Sequence, residues 1–439
     1  MIGSIANTGK GEGMALRTLF LIVVAAYLTS IGCAGGGTDG SGSTNATGFV
    51  YVANSNSNTI STFSITSSTG VVGSAATPVV AGTQPQQVVL DTAGQFAFVA
   101  NSGSGNLSRY LVNTAGGLSS LGVATTVGTT PLFPTVDPLN RYLFVPNSGS
   151  NNLSVFTLNA ATGALTPVAN SPYPTGSNPQ TATLDSQGRF VWVNNLSAGT
   201  VSMFFINTGG SLSPAPGIIV APGTSPQRVA FLTLGTRLFA YVANAGDGTV
   251  SAYEVDQTTG GVVGPVPGSP FPAGTSPNLV VIDPTGQLAL VSNVGSSNIS
   301  VYRINASNGA LTAVQNPGPP SSNFFPSGQN PQAVTIHPTG NFAFVAGTTS
   351  GIGTVSVYTV TQPAGVLTQV SGSPFSTGGT NPQRVTIDSA GKVALVSNRN
   401  SDTIAMFSID QTTGVLTPAI GSPFSTGNAP EQATATGSF

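Results

Sequence analysis

The chain has 439 residues, of which 39% are hydrophobic and only 5% charged. With 11 Lys and Arg against 13 Asp and Glu, it carries no basic stripe able to neutralise a row of phosphates, so nucleic acid is not expected as a partner. The single cysteine, Cys33, excludes an internal disulfide and any multi-cysteine metal centre.

In chain order, residues 1–13 fit no targeting design, and Met14 is the better start. From there "MALRTLFLIVVAAYLTSIGC" places Arg17 before an apolar run from Leu19 to Leu28, with small residues ahead of Cys33. The run is too short to be a stable membrane anchor and reads as an export signal over residues 1–33. It resembles a bacterial lipoprotein signal, in which the cysteine thiol is lipidated and becomes the new N-terminus. Gly32 fits the position before the cut, whereas Ser30 stands where such signals usually carry Leu; a plain secretory signal is the alternative. Ala34, not Asp, follows the cysteine, and the resemblance then implies an outer-membrane or cell-surface lipoprotein, attached to the membrane through its lipid. Residues 34–47, "AGGGTDGSGSTNAT", have nothing to hold them in a core and form a flexible linker.

From residue 48 to 439 one pattern repeats. "FVYVANSNSNTISTFSI", "FAFVANSGSGNLSRYLV", "YLFVPNSGSNNLSVFTL" and "LALVSNVGSSNISVYRI" recur roughly every fifty residues. The abundance of Gly and Pro and the alternating short runs predict an all-β fold. Each repeat reads as four strands, A to D: "PQTATLDSQG" from Pro179 contains strand A, "RFVWVNN" strand B and "GTVSMFFI" strand C, with a weaker strand D after it. Four short strands cannot bury both faces alone, but stacked radially they form a β-propeller. Strand A begins at Pro85, Pro131, Pro179, Pro226, Pro277, Pro331, Pro382 and Pro430, which gives eight blades, with seven if one set is degenerate. The last strand A ends the chain, and the first strand B, at Phe49, has none before it. Closure is therefore expected through the C-terminal strand, which removes the free edges at the seam.

With the repeats in register, residues 48–439 resemble the lactonase-family β-propellers, which include the propeller type of 6-phosphogluconolactonase and are related to the YVTN-repeat proteins. The carriers are "FVYVANSNSNTIS", "IDPTGQLALVSN" and "NASNGALT". The resemblance implies a ring of seven blades and, for the enzymes, His and Arg, sometimes with Glu, in a central channel. This chain has one His, and no catalytic residue carries over.

That histidine, His337, is in register with Asp91, Asp137, Asp185, Asp283 and Asp388, each opening a turn between strands A and B. A turn role is preferred, because His can make the same local hydrogen bond as Asp. The Asn that ends strand B in every repeat but one, where Gly347 replaces it, suits a tight turn better than a calcium shell, for which carboxylates are too few. No metal or cofactor is expected. The start of strand A, beside the channel on the top face, carries Gln180, Gln227, Gln332 and Gln383, with Glu431 in the equivalent place and Arg228 and Arg384 following the Gln in two repeats. Phe324 and Phe325, on a Pro-rich insertion, are placed over the same face. These residues form the predicted ligand site, either a structural amide girdle or a surface for a polar small molecule, a glycan or an envelope protein. A monomer is expected. Three functions stay open: a binding protein, which the lack of a nucleophile, base and orienter set favours; a lactone hydrolase; and an envelope scaffold.

Overall fold

A computed structural model describes residues 48–65, 72–73, 77–216, 223–317 and 322–436. The chain divides into two units, Met1–Gly42 and Ser43–Phe439, and all the described residues belong to the second. The signal, Cys33 and the linker lie outside the described residues. No helix among the described residues is long and apolar enough to cross a membrane.

Each repeat forms an antiparallel sheet, and the sheets number eight. In blade 4, strand A is Pro179–Leu184, B is Phe190–Asn195, C is Thr200–Ile206 and D is Leu212–Pro214. Strand B is apolar at nearly every position because both of its faces are covered. Val50, Tyr51, Val52 and Ala53 are all fully buried. Alternation sends Val50 and Val52 into a cluster with Val393 and Leu395 of blade 8, and Tyr51 and Ala53 into one with Ala97 and Val99 of blade 2. Every pair of neighbouring blades shares such a cluster, the pair across the seam included, so the core is one closed ring. The glycine of "NASNGALT" belongs to this stacking. Gly309 has a φ of +72°, and a Cβ there would sit 2.5 Å from Phe239 of the preceding blade.

The seam is closed as expected. Strand Pro430–Ala435 pairs antiparallel with Gly48–Asn54, Val52 lying opposite Ala433. Thr436 Oγ1 accepts from Phe49 N at 2.9 Å. In the channel, Thr386 Oγ1 donates to Ala433 O at 3.0 Å and Thr434 Oγ1 donates to Val88 O at 2.6 Å. These hydroxyls satisfy carbonyls on the inner edge of the neighbouring blade, so the last strand is held from both sides.

Strand D departs from the sequence expectation in one respect. In most blades it is two short pieces, both paired with strand C; in blade 8 these are Leu416–Pro418 and Phe424–Ser425. The proline of "GSPF" cannot donate to a ladder and interrupts the strand. The serine before it fills the gap: Ser422 Oγ accepts from Met406 N at 2.9 Å, as Ser171 Oγ does from Val155 N in blade 3.

The turns sort by face. The B–C turns and D–A connections meet on top, where Ser102 N donates to Gln84 O at 3.0 Å. The A–B and C–D turns meet below, where Arg189 Nη1 donates to Gln257 O at 3.2 Å.

Candidate functional site

Strand A is the innermost strand, and near its top it is irregular. In blade 5, Pro226 pairs with Asn244 but Val229 pairs with Val242, so one extra residue is inserted at Gln227–Arg228. The same bulge falls at Gln383–Arg384 and at Glu431–Gln432, and similar ones follow Pro85, Pro179 and Pro277. A regular strand points successive side chains to opposite faces, whereas a bulge bends the strand and re-aims them. Here both members of each Gln-Arg pair line the channel.

They enclose a cavity of ~230 Å³ at the top of the channel, lined by Phe133, Gln180, Thr181, Gln227, Arg228, Asn278, Leu279, Gln332, Ala333, Gln383, Arg384, Glu431 and Gln432. The glutamines are held at their nitrogens. Gln227 Nε2 donates to Ser225 O and Gln383 Nε2 to Asn381 O, both at 3.1 Å. Gln180 Nε2 donates to Asn178 Oδ1 at 2.6 Å and Gln332 Nε2 to Asn330 Oδ1 at 3.1 Å. Each Gln thus braces the left-handed residue two positions before it, and its Oε1 keeps its acceptor capacity. The girdle is structural through its nitrogens and available through its oxygens.

The two arginines are not braced in this way. Among the described residues, no hydrogen bond or ion pair joins either guanidinium to protein. Arg228 lies over the Phe133 ring, 5.2 Å from its centroid, a cation–π contact. Burial within the ring, and then the nearby charge of Arg384, bring the Arg228 pKa down to about 10, and burial lowers that of Arg384. Both side chains face water in the lumen, yet protein on every side withholds full hydration. At neutral pH the result is two partly desolvated cations in one cavity, without a counter-ion among the described residues.

Glu431 is not that counter-ion. Its carboxylate lines the same cavity, but Oε1 lies 3.2 Å from Arg399 Nη2, on the B–C turn of blade 8. The contact is a charge contact without hydrogen-bond geometry at that oxygen. Burial raises the carboxyl pKa, while Arg399 and a hydrogen bond with Ser55 lower it, and burial prevails.

A family model described as "Lactonase, 7-bladed beta-propeller" matches residues 43–133, 169–375 and 329–429, well over half of the chain. The chain belongs to the Lactonase family. Its own ring has eight blades. No curated protein matches the sequence. Among solved structures, a candidate 6-phosphogluconolactonase from Bacteroides fragilis aligns with a TM-score of 0.57 and 18% identity over 91% of this chain and 100% of its own. The periplasmic gluconolactonase PpgL of Pseudomonas aeruginosa gives 0.57 and 18% over 89% and 99%. A candidate 6-phosphogluconolactonase from Bacteroides uniformis gives 0.59 and 16% over 89% and 100%. At these identities the likeness is one of fold.

This Lactonase-family ring keeps its only histidine away from the channel mouth. His337 is 1% exposed in an A–B turn, its Nδ1 2.8 Å from Thr339 Oγ1 and its Nε2 2.9 Å from Gly391 O. Gly391, at a φ of +74°, leaves room for it: a Cβ there would lie 2.1 Å from Nε2. The recurrent Asn is held through its side-chain nitrogen. Asn147 Nδ2 donates to Asn152 Oδ1 at 2.7 Å and to Ser154 Oγ at 2.9 Å.

Phe324 and Phe325 stand apart from the channel. Their strand, Phe324–Pro326, pairs with strand C, away from the channel. Phe325 is 2% exposed in the core between blades 6 and 7, and Phe324 borders a separate depression with Asp247 and Ser296. Their apolar alternation serves the sheet, so neither belongs with the channel residues. Conversely, Phe133 and Gln432 line the cavity and were not singled out from sequence. The signal was present in "PLFPTV", the one repeat with an aromatic residue where two others carry Arg.

Proposed function

We propose that the upper channel cavity binds a small, hydroxyl-rich anion of the sugar-acid class. The observation that carries this reading is the pair Arg228 and Arg384, two arginines that line one concave site from blades 5 and 8, with no protein counter-ion among the described residues. A bound carboxylate or phosphate supplies the missing charge in charge-assisted hydrogen bonds, and the ring of amide oxygens accepts from hydroxyls. Calorimetric titration with gluconate, 6-phosphogluconate and neutral methyl glucoside tests it. Both anions should bind and the neutral sugar should not; equal binding of all three would remove the role assigned to the arginines.

A second reading, lactone hydrolysis, is favoured by Glu431, whose carboxyl is raised by burial and lines the same cavity as Arg384. In this reading Glu431 takes a proton from water as its oxygen adds to the lactone carbonyl. Arg384 stabilises the oxyanion, and the ring C–O bond then breaks, its oxygen receiving the proton to give the open hydroxy acid. Acid release from gluconolactone above the spontaneous rate, lost in Glu431→Gln while gluconate binding persists, separates turnover from binding.

Export belongs to the same proposal. The Cys33 segment directs the chain out of the cytoplasm as a lipid-anchored monomer, and the neighbour named a periplasmic gluconolactonase associates export with lactone chemistry on this fold. Membrane fractionation of wild type and Cys33→Ser tests it: a variant that stays membrane-bound would contradict lipidation.

A further inference from the structure

The channel does not end at the arginines. Beneath the upper cavity lies a second chamber of ~380 Å³, and the two share the wall formed by Phe133, Thr181, Arg228, Leu279 and Arg384. Strand A runs from the top face to the bottom, so the arginines stand at a waist. They are reached from above past the glutamines and from below past the rest of the strand.

The lower chamber is polar as well. The aliphatic residues that border it turn into the blade cores: Leu90 packs between blades 1 and 2, Val89 and Val136 between blades 2 and 3, and Val229 between blades 4 and 5. The wall left to a ligand is more polar than apolar. Gln87 contributes to it from the bulge of blade 2, at the position that Arg228 and Arg384 hold in blades 5 and 8, yet it borders the lower chamber and not the upper one. Thr183 follows on blade 4, and Thr92, in the exposed A–B turn of blade 2, carries the chamber to the bottom face. The Gln87 amide and both hydroxyls make no side-chain hydrogen bond among the described residues, so their donors and acceptors are open to hydroxyls of a ligand.

We infer that the channel binds a phosphodiester joining two hydroxyl-rich groups, with its phosphate at Arg228 and Arg384 and one polyol arm in each chamber. An anion charged at one end reaches the arginines from one chamber and leaves the other unused. A diester instead carries its charge in the middle, as the channel carries its cations. Its two non-bridging oxygens share that charge, and the arginines approach from blades 5 and 8, so each guanidinium takes one oxygen in a charge-assisted bond. The upper arm meets the amide oxygens of the glutamine girdle, and the lower arm meets Gln87 and Thr183. The inference rests on the arginines of the sugar-acid reading and adds the lower chamber to them.

The test is calorimetric titration of the purified protein with glycerophosphoglycerol and, as a diester of equal charge without polyol arms, dimethyl phosphate. Glycerophosphoglycerol should bind at least tenfold more tightly. Thr183→Phe fills the lower chamber from outside the upper cavity and should weaken it at least tenfold while changing gluconate affinity less than twofold. Gln87→Trp provides a second block if the first variant melts unlike wild type. Absent binding of glycerophosphoglycerol, equal binding of dimethyl phosphate, or affinity indifferent to a folded blocking variant would each overturn the inference, and with gluconate still bound the sugar-acid reading would survive it. Binding of the diester without gluconate would refute the sugar-acid reading and leave this one standing.

Discussion

Arg399 Nη2 stands 3.2 Å from Glu431 Oε1, joining the B–C turn of blade 8 to the C-terminal strand that completes blade 1. The contact takes the carboxylate that lines the cavity with Arg228 and Arg384, and neither arginine is ion-paired among the described residues. The burial of Glu431 also makes the seam sensitive to pH. Because burial raises the Glu431 pKa, the folded protein holds this proton more tightly than the unfolded chain does. The associated stability is fully present below the unfolded value and is lost as pH rises through the raised folded value. Denaturant unfolding between pH 4 and 7 should therefore show Glu431→Gln gaining on wild type as pH increases. Parallel curves would mean that the carboxyl is not perturbed.

Arg228 and Arg384 are predicted to cost stability in the unliganded protein. Both have pKa values lowered by burial and neither has a counter-ion among the described residues. Replacing such a charge with an apolar side chain of similar size is often neutral or stabilising, here by about 1 kcal/mol. Arg228→Leu should melt at or above the wild-type temperature by scanning calorimetry. A clear loss of stability would assign the arginine to the framework.

Closure predicts the effect of shortening the chain. Removing residues 430–439 leaves the strand Gly48–Asn54 with an open edge and deletes the inter-blade bonds to Val88 and from Thr386. With each net hydrogen bond worth about 1 kcal/mol, the loss is on the order of several kcal/mol, and the open edge favours association. Size-exclusion chromatography should show aggregates of the shortened chain and none of the full chain.

His337 is predicted to matter for the fold alone. His337→Ala removes two buried hydrogen bonds and should cost about 1–3 kcal/mol, with gluconate affinity unchanged. His337→Asp restores the residue of the sister turns and should cost less. A large loss of affinity in either folded variant would return the histidine to the site.

The ring was legible in the sequence because each of its causes recurs. Strand B is apolar on both faces, the turn residues are spaced evenly, and the unpaired first and last strands complete one another. The arginines and glutamines beside the channel were legible as departures from that repetition. Three features were not. A bulge has no residue signature in "PQR", so the paired re-aiming of Gln227 and Arg228 appears only in the register. The partner of Glu431 depends on the reach of a B–C turn, which brings Arg399 rather than Arg384 to it. Phe324 and Phe325 looked like a loop because Pro-rich sequence surrounds them, whereas they pair with strand C and bury one ring between blades.

The central claim is that Arg228 and Arg384 together form the anion site of the channel. Titration calorimetry of wild type and of the Arg228→Leu, Arg384→Leu double variant with 6-phosphogluconate at low salt tests it most directly. The account predicts one site in the wild type and at least a hundredfold loss in a double variant that melts no lower than wild type. Undiminished binding by the double variant, or no binding by the wild type, would contradict it.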